Sequence, residues 1–568
     1  MQEKQELSIV LAGEAGQGIQ SIETALTTVF KEAGLHVFAT KEYMSRVRGG
    51  VNSVQIRVSE KKVQAPVNQI DLFVPLHQAA YHHLKDHISK ETVVLGNAEI
   101  LNVSGVTDIR FEQIAKECGS TLYANMVAAG SICGIMGIEK SLLEKYITAR
   151  FESKKPEIVE GNIQAAERGY TKASELVKKG AIPFTVHMAA TDLARSMMLN
   201  GSQAVALGAV AGGCNAVFAY PMTPGSGAFT VLAGMMHKAG IAVEQAEDEI
   251  AAINMAIGAW YAGGRALVTT SGGGFALMTE GISLAGMTET PVVVHIAQRP
   301  GPATGLPTRT EQGDLNLAIY AGHGFFPKAV FAPGNLEQAF RLTSEAFSVA
   351  DRFQIPVLIL TDQYLVDAYG DHPVFDTTDM PSSQNRIIES GSDYKRYKLT
   401  DSGISPRSVP GFGSGRVCAD SDEHDEEGRI TEDLNGISLA MKNKRARKMQ
   451  TLEAATRQPD FYGAQDAETL FISWGSTLEP VKEALERAEI KNATIVHFTQ
   501  VFPLPANLKA TLGTAKRLIF IENNQSGAFA ELVRQYTGLD TSRRILKYNG
   551  LPFSVEELVG RMKEAIHG

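Results

Sequence analysis

Cysteine is scarce in this 568-residue chain, and the four that occur lie far apart. Cys118, Cys133, Cys214 and Cys418 include no C-x-x-C pair. The spacing therefore excludes a disulfide framework and gives no zinc or iron–sulfur site that this chain could build by itself. We expect the four thiols to be buried small side chains or surface groups, and we predict no metal ligands in this chain.

An excess of basic charge is also missing, since 54 Lys and Arg stand against 63 Asp and Glu, a net charge of −9. This acidic balance argues against a general nucleic-acid-binding protein. The charged start of the sequence, Met1 to Glu6, leads directly into an apolar run, so we expect no signal peptide. The sequence predicts a cytoplasmic location.

Charge is absent from one long stretch, because no Asp, Glu, Lys or Arg occurs between Ser196 and His237. Such a stretch is long enough to cross a bilayer. It contains Asn200, Asn215, Pro221 and repeated glycines, however, and its pattern is that of a helix, a strand and a turn in succession. We interpret it as the interior of a globular domain and expect no membrane association.

Alternating apolar strands and amphipathic helices predict an α/β fold with three domains and a connector. Residues 1–185 open with a strand at 7–12, a glycine turn and a helix from Ile19, typical of a Rossmann-like mixed α/β domain. Residues 195–375 predict a doubly wound, mainly parallel sheet, because their apolar runs are continuous. These runs lie at 216–220, 266–270, 291–296 and 355–360.

The remainder of the chain divides in two. Residues 376–465 are rich in Pro, Ser, Gly and charge, with an acidic cluster between Asp420 and Asp433 and a basic one between Lys442 and Lys448. This composition predicts a solvated connector that ends in a helix. Residues 466–568 again alternate strands and helices and predict a smaller α/β domain.

The glycine turn Gly13-x-x-Gly16-x-Gly18 follows the first strand, where dinucleotide-binding folds place their phosphate loop. Its spacing is G-x-x-G-x-G, which differs from the nicotinamide fingerprint G-x-G-x-x-G. Two interpretations therefore stay open, a turn that serves another ligand and a turn needed for packing.

The middle domain carries the densest motifs, each just after a strand, where open α/β sheets bind ligands. Tyr220-Pro-Met-Thr-Pro224 combines a hydroxyl group with two stiffening prolines, and Glu249 begins a helix that has almost no polar residues. Thr270-Ser-Gly-Gly-Gly274 allows the backbone to approach a ligand closely. Arg299 in Arg-Pro-Gly-Pro follows the next strand.

In this order the motifs resemble those of the 2-oxoacid:ferredoxin oxidoreductases, most of all the fused γ-α subunit of the 2-oxoglutarate type. The resemblance extends over nearly the whole chain. The first third is similar to the family's γ domain, the connector matches at 423–428, and the last segment resembles the transketolase C-terminal domain at 500–505 and 521–527. One departure is Gly273, where the family usually has proline.

The resemblance implies thiamine diphosphate chemistry shared with a second chain. Glu249 matches the glutamate that hydrogen-bonds N1′ of the aminopyrimidine, and Thr223 and Arg299 match residues that receive the substrate. Lys41 could meet the second carboxylate of 2-oxoglutarate or could simply be solvated. The pyrimidine side is assigned to Tyr220, Pro221, Thr223, Glu249, Ser271 and Gly272, and the coenzyme A side to Gly13, Gly16, Gly18 and Arg48.

The family's diphosphate and Mg²⁺ signature, Gly-Asp-Gly followed by Asn, is missing; Gly313-Asp and Gly370-Asp do not complete it. The resemblance thus implies a β subunit that supplies Mg²⁺ binding and a [4Fe-4S] cluster, in an (αβ)2 heterotetramer with ferredoxin as acceptor. The expected reaction is oxidative decarboxylation of 2-oxoglutarate with coenzyme A. The alternatives are pyruvate, branched-chain or aryl 2-oxoacids as substrates, and a non-catalytic subunit that binds coenzyme A or a nucleotide.

Overall fold

The computed structural model describes residues 2–45, 50–380 and 386–567. The chain forms two compact units, both of them α/β, which confirms the predicted fold class. The first unit consists of Met1–Leu199, Asp367–Val374 and Ser554–Glu556, and the second of Asn200–Val366, Phe375–Phe553 and Glu557–Gly568.

An eight-stranded mixed sheet organises the first unit. Its strand Glu6–Glu14 pairs parallel with Leu72–Pro75 and antiparallel with Val51–Ser59. The order of the strands is Val106–Asp108, Val93–Gly96, Leu72–Pro75, Glu6–Glu14, Val51–Ser59, His36–Glu42, Tyr369–Pro373 and Ser196–Asn200. A separate parallel pair consists of Gln2–Lys4 and Phe184–Val186.

Helices cover this sheet. The helix Ile19–Glu32 starts directly after Gly18, whose φ of 78° lies in the left-handed region that favours glycine. Its apolar residues recur with helical period and are buried, as the sequence predicted. The other helices of the unit are Gln78–Leu84, Ala98–Leu101, Phe111–Glu117, Ala124–Met136, Lys140–Phe151 and Pro156–Lys178, with 3-10 turns at Lys85–His87 and Thr121–Tyr123.

A seven-stranded sheet lies at the centre of the second unit. Its neighbouring strands pair in parallel except at Gln500–Phe502, which is antiparallel to its neighbour. Because both faces of the sheet are covered, every residue of Val292–Gln298 is buried, which explains the continuous apolar runs in the sequence. The strand order is Ala242–Gln245, Ala216–Ala219, Ala266–Thr270, Val292–Gln298, Pro356–Asp362, Ala329–Phe331 and Gln500–Phe502.

Helices flank this sheet; most of them connect its parallel strands, as the doubly wound prediction requires, whereas Gly201–Ala211 precedes its first strand and Gln363–Asp367 follows Pro356–Asp362. They are Gly201–Ala211, Ser226–Ala239, Glu249–Tyr261, Gly272–Leu277, Thr279–Met287, Leu315–Tyr320, Leu336–Phe353 and Gln363–Asp367. The uncharged stretch from Ser196 to His237 is thus a strand, a helix, a strand and most of a second helix, in agreement with its interpretation as a globular interior.

A five-stranded sheet forms the C-terminal part of the second unit. Its strands lie in the order Asp460–Gly463, Ala493–Phe498, Thr469–Trp474, Arg517–Glu522 and Arg544–Leu546, and only the first is antiparallel to its neighbour. The helices of this part are Leu478–Ala488, Leu508–Leu512, Ala528–Thr537 and Val555–His567, with a 3-10 turn at Gly475–Thr477.

The connector ends in a helix as expected, but part of it is packed rather than solvated, which corrects the expectation of a solvated segment over 376–465. Its helix, Ile437–Glu453, brings the ammonium group of Lys444 to 2.5 Å from Oε1 of the buried Glu289, and Lys448 contacts the other carboxylate oxygen. Although burial opposes ionisation, the two lysines hold the pKa of Glu289 well below its usual range. Arg445 pairs with Glu423 at 2.8 Å, so part of the charge in this segment forms buried or half-buried pairs.

Across residues 2–45, 50–380 and 386–567, no helix combines the length and the apolar character needed to cross a bilayer.

Candidate active site at the carboxyl edge of the central sheet

Three parallel strands of the second unit end at one edge of the sheet. Ala216–Ala219 leads into the turn at Tyr220, Ala266–Thr270 leads into Ser271, and Val292–Gln298 leads into Arg299. Since neighbouring parallel strands end on the same side, the motifs singled out in the sequence meet there. Hydrogen bonds and close packing join them into one site.

Arg299 and the Tyr220 turn are in direct contact. Nη1 of Arg299 donates a hydrogen bond of 2.6 Å to the carbonyl oxygen of Thr223. Burial lowers the pKa of the Arg299 guanidinium and the nearby carboxyl group of Asp314 opposes this, so the group stays a cation at neutral pH. A guanidinium carries five N–H donors, so this bond orients Arg299 and leaves donors for an anion.

Buried side chains of the central strands hydrogen-bond the other end of the Tyr220 turn, at Gly225. Oγ1 of Thr269 donates to the carbonyl oxygen of Gly225 at 2.8 Å and lies 2.9 Å from Nδ1 of His295. Nε2 of His295 lies 2.8 Å from Oγ1 of Thr361. Burial lowers the pKa of His295 to about 4, so the ring is neutral at pH 7 and acts as a buried hydrogen-bonding spacer. The chain of contacts fixes the turn relative to three strands.

Glu249 is the first residue of the helix Glu249–Tyr261, which Asp248 caps by accepting a bond of 2.7 Å from the amide of Ala251. The Glu249 side chain is buried, with 3% of the residue exposed. Among the described residues its Oε1 has no hydrogen-bond partner. A buried carboxylate oxygen without a donor is costly, which points to a donor supplied by a ligand.

The glycine-rich first turn of the helix Gly272–Leu277 packs against the Glu249 carboxyl group. A β-carbon at Gly274 would lie 2.2 Å from Oγ1 of Thr270 and 2.7 Å from Oε1 of Glu249. Ser271, just before the helix Gly272–Leu277, is fully buried, and its hydroxyl oxygen lacks a partner in the described part of the chain. The missing side chains and the two unpartnered oxygens form a polar cradle suited to a small planar ring.

Asp314 also belongs to this edge, although no sequence motif marks it as a site residue. A β-carbon at Gly272 would lie 2.2 Å from Oδ2 of Asp314, and that oxygen has no partner among the described residues. Asp314 precedes the helix Leu315–Tyr320, so in the sequence it looks like an ordinary helix cap. His295 was missed for a similar reason, because it lies within an apolar strand run.

Lys41, the residue expected to receive a distal carboxylate, lies in the first unit. Its ammonium nitrogen is 3.0 Å from Oε1 of Glu23 and 6.0 Å from the centre of the Tyr369 ring. Burial raises the pKa of Glu23 and the charge of Lys41 lowers it again. Lys41 is therefore an oriented, partly exposed cation rather than a freely solvated one.

The glycine turn of the first unit borders a pocket of about 240 Å³. Gly16, Gln17, Leu76, Asn97 and Asn125 are among the residues that line it, three of them just after parallel strands. A β-carbon at Gly18 would lie 1.9 Å from Nδ2 of Asn125, so glycine is required there. Arg48, the fourth residue assigned to this side, lies outside the described residues.

Over the described ranges, no group of three or more His, Cys, Asp or Glu side chains is arranged to hold a metal ion.

Two family models match the chain. Residues 207–485 match the family model described as pyruvate flavodoxin/ferredoxin oxidoreductase, thiamine diphosphate-binding, and residues 8–172 match pyruvate ferredoxin/flavodoxin oxidoreductase. The first match contains all of the pyrimidine-side residues named above.

Curated relatives match over almost the full length. The chain is 31% identical to a 2-oxoacid:ferredoxin oxidoreductase subunit alpha from Sulfolobus sp, over 97% of this chain and 96% of the relative. It is 26% identical to the 2-oxoglutarate oxidoreductase subunit KorA of Mycobacterium tuberculosis, over 99% and 91%. A solved structure, the 2-oxoglutarate:ferredoxin oxidoreductase from Magnetococcus marinus with 2-oxoglutarate, coenzyme A and succinyl-CoA bound, is 32% identical, covers 99% of this chain and 100% of that chain, and gives a TM-score of 0.92.

Proposed function

Since the chain belongs to the alpha subunits of the thiamine-diphosphate-dependent 2-oxoacid:ferredoxin oxidoreductases, we propose that its substrate is 2-oxoglutarate. With coenzyme A and ferredoxin the products are succinyl-CoA, CO₂ and reduced ferredoxin. The observation that carries the proposed catalysis is the buried, unpartnered Oε1 of Glu249 at the sheet edge where Arg299 contacts Thr223.

The cradle fits the aminopyrimidine end of thiamine diphosphate. Glu249 and Ser271 offer buried oxygens that lack donors within the described chain, and Gly272 and Gly274 remove the side chains that would fill the space. When bound, the cofactor supplies the electron sink for decarboxylation of a 2-oxoacid. Glu249 would hold a proton at a nitrogen of that ring, and the exposed residues Tyr220 and Pro221 would form the rim of the site.

Substrate recognition falls to residues on the same edge. Arg299 binds the carboxylate next to the oxo group, because its planar fork can donate to both oxygens. The bond from Arg299 to the Thr223 carbonyl oxygen keeps that fork oriented before substrate arrives. Thr223, whose carbonyl oxygen accepts the bond from Arg299, also carries a hydroxyl group. In this proposal that hydroxyl group donates a hydrogen bond to the oxo group of the substrate.

The choice of 2-oxoglutarate is supported by Lys41 and by the relatives. Lys41 is a cation oriented by Glu23 and Tyr369, which suits a second carboxylate. The Magnetococcus marinus structure contains 2-oxoglutarate, coenzyme A and succinyl-CoA. We assign one end of coenzyme A to the pocket beside Gly16 and Asn125, since it opens at the carboxyl ends of parallel strands and beside a helix N-terminus.

A β subunit completes the enzyme in this proposal. The sequence lacks the diphosphate and Mg²⁺ signature, so the partner supplies that half of the cofactor site and the [4Fe-4S] cluster. The helices that carry Glu249 and Gly274 expose large apolar side chains: Ile250 is 50% exposed, Met255 36% and Leu277 53%. Exposed large apolar side chains beside an incomplete site are typical of an obligate subunit interface.

The deciding experiment is an activity assay on the assembled protein. The chain is purified with its partner, and CoA-dependent reduction of a viologen dye is measured with 2-oxoglutarate, pyruvate, 2-oxoisovalerate and an aryl pyruvate. We expect the highest kcat/KM with 2-oxoglutarate. A preference for another 2-oxoacid would contradict the assignment of 2-oxoglutarate as substrate. An absence of turnover with all four would contradict the proposed enzymatic activity.

The partner is tested separately. Ile250→Glu places a charge on the exposed apolar side of the Glu249 helix and should release the chain as a free subunit in size-exclusion chromatography. Leu434→Glu is the matched control, since Leu434 is 77% exposed and lies in the connector, away from that helix in the sequence. The isolated chain should bind thiamine diphosphate and Mg²⁺ weakly in calorimetry, and tight binding would contradict a shared site.

A further inference from the structure

Asp314 has an unusual placement for an aspartate before a helix. At this position the carboxylate normally accepts hydrogen bonds from the first turn of the helix. Asp314 makes no such bond to Leu315–Tyr320, and its carboxyl group lies against Gly272 instead. With a β-carbon there, Oδ2 would be at 2.2 Å and Oδ1 at 2.3 Å, so the placement depends on a glycine. The helix Leu315–Tyr320 thus lacks a side-chain cap, and the Asp314 carboxyl group lies at the site instead.

The backbone fixes Asp314 to the strand that also holds Arg299. The amide of Asp314 donates to Oε1 of Gln298 at 3.0 Å, and Nε2 of Gln298 donates to the Thr361 carbonyl oxygen at 3.0 Å. Gln298 is buried and directly precedes Arg299 in the chain. One strand end therefore orients both the carboxyl group and the guanidinium.

Two charged groups act on Asp314, the carboxyl group of Glu311 on its own segment and the guanidinium of Arg299 from the neighbouring strand. The helix Gly272–Leu277, which packs against it, carries no titratable side chain. Burial and Glu311 raise the pKa of Asp314 to about 6, and Arg299 opposes them. Asp314 therefore lies close to the pH at which it gains or loses its proton, and a change in the charge of its neighbours near neutral pH can change its protonation.

We propose that Asp314 is a positioning residue for Arg299 that couples binding of the substrate carboxylate to uptake of a proton. In the free site the Asp314 carboxylate offsets the charge of the guanidinium and helps to hold it at the carboxyl edge of the sheet. A 2-oxoacid carboxylate that binds to Arg299 takes over this role, and Asp314 takes up one proton from solvent. The inference rests on the proposed function, because it takes Arg299 as the receptor of that carboxylate.

Calorimetry measures the proton directly. 2-Oxoglutarate is titrated at pH 7 into the assembled protein, freed of thiamine diphosphate and without coenzyme A, in buffers of low and high ionisation enthalpy. A carboxyl group with a pKa of about 6 is about 90% ionised at pH 7, so wild-type protein should take up as much as about 0.9 proton per site. Asp314→Asn should abolish the uptake, and the control Glu311→Gln should retain most of it.

Gly272→Ala provides a variant that changes no titratable group. Its methyl group displaces the Asp314 carboxyl group, so proton uptake should fall as in Asp314→Asn while the protein still melts as a folded complex. Equal uptake in wild-type protein and Asp314→Asn overturns the inference.

An infrared titration without substrate separates this inference from the proposed function. The protonated-carboxyl band that Asp314→Asn removes should titrate near pH 6 and should move to higher pH in Arg299→Gln. An unchanged midpoint overturns the coupling, whichever 2-oxoacid the enzyme uses. If pyruvate binds with the same proton uptake and 2-oxoglutarate does not bind, the coupling stands and the substrate assignment falls.

Discussion

Gly274 lies so close to Glu249 that a β-carbon at position 274 would be 2.7 Å from Oε1 of the carboxyl group. That oxygen is buried and has no donor within the described residues. The glycine therefore leaves one side of the carboxyl group open in an otherwise packed interior. A ring nitrogen of a ligand can approach from that side, and a side chain at position 274 would block it.

Glu249→Gln should lower turnover of the assembled enzyme by 10²–10⁴-fold, the usual contribution of a group that holds a proton in the reaction. The amide keeps the size of the side chain but cannot hold the proton at the facing ring nitrogen. Steady-state dye reduction at saturating 2-oxoacid checks this.

The control for Glu249 is Glu247→Gln. Glu247 is exposed and lies two residues earlier, so the same chemical change there should leave turnover within about twofold of wild type. If Glu249→Gln keeps more than about a third of wild-type activity, well outside the range for such a group, Glu249 is not the proton-holding residue.

Two neighbouring glycines, Gly273 and Gly274, should respond differently to substitution by alanine. A β-carbon at Gly273 has open space, with its nearest neighbour at 3.7 Å, so Gly273→Ala should keep activity and raise stability by about 0.4–1 kcal/mol through the unfolded chain. Gly274→Ala should cost about 1–3 kcal/mol and most of the activity, because Thr270 and Glu249 must move. Thermal unfolding and dye reduction measure both. Equal stability and equal activity of the two variants would contradict the requirement for glycine next to Glu249.

Lys41→Ala should raise KM for 2-oxoglutarate far more than for pyruvate. A lost charge-assisted hydrogen bond is worth about 1.5–3 kcal/mol, or roughly 10–150-fold. Arg299→Ala should impair every 2-oxoacid, since each carries the carboxylate next to the oxo group. Kinetics with both substrates and both variants test the two assignments together.

Glu23 complicates the Lys41 variant, because removal of the lysine leaves a buried carboxyl group without its cation. The double variant Lys41→Ala with Glu23→Gln removes that effect and should show the same substrate dependence. Glu23→Gln alone keeps the cation and serves as the control. An equal loss for both substrates in the double variant would mean that Lys41 has a structural role or contacts coenzyme A.

Strands and motifs were predictable because each has a local signal. The runs at 216–220, 266–270 and 291–296 form strands within two residues of those limits, since two-sided burial requires apolar residues at every position. Tyr220, Ser271 and Arg299 follow those strands, and parallel pairing brings such positions together. The proximity of these three residues could therefore be predicted from the sequence, without knowledge of any contact between them.

The connector and Asp314 could not be predicted in the same way. The charges of 376–465 look solvated because their partners are distant in sequence, as Lys444 with Glu289 illustrates. Only the packed structure shows that some of these charges are paired and buried. Asp314 looks like a helix cap because its actual neighbour, Gly272, is glycine and carries no sequence signal for a carboxyl contact.

His295 connects the stability of the central sheet to pH. The ring is buried between Thr269 and Thr361, and its pKa is lowered by burial from 6.5 to about 4. In the unfolded chain the histidine binds its proton below about pH 6.5, whereas in the folded sheet it stays neutral down to about pH 4. The stability that this difference contributes is complete above pH 6.5 and is lost as the pH falls toward 4.

We therefore expect the free energy of opening of the strand Ala266–Thr270, measured by hydrogen exchange, to fall on acidification from pH 7.5 to 5. The His295 share of that fall should be about 2 kcal/mol, because one pKa unit is worth about 1.4 kcal/mol. His295→Gln should weaken the sheet at pH 7.5 but remove this share of the pH dependence. His83→Gln, a change at an exposed histidine, should leave the dependence as in wild type. If His295→Gln and wild-type protein lose equal free energy between the two pH values, the buried neutral ring does not control the opening of this sheet.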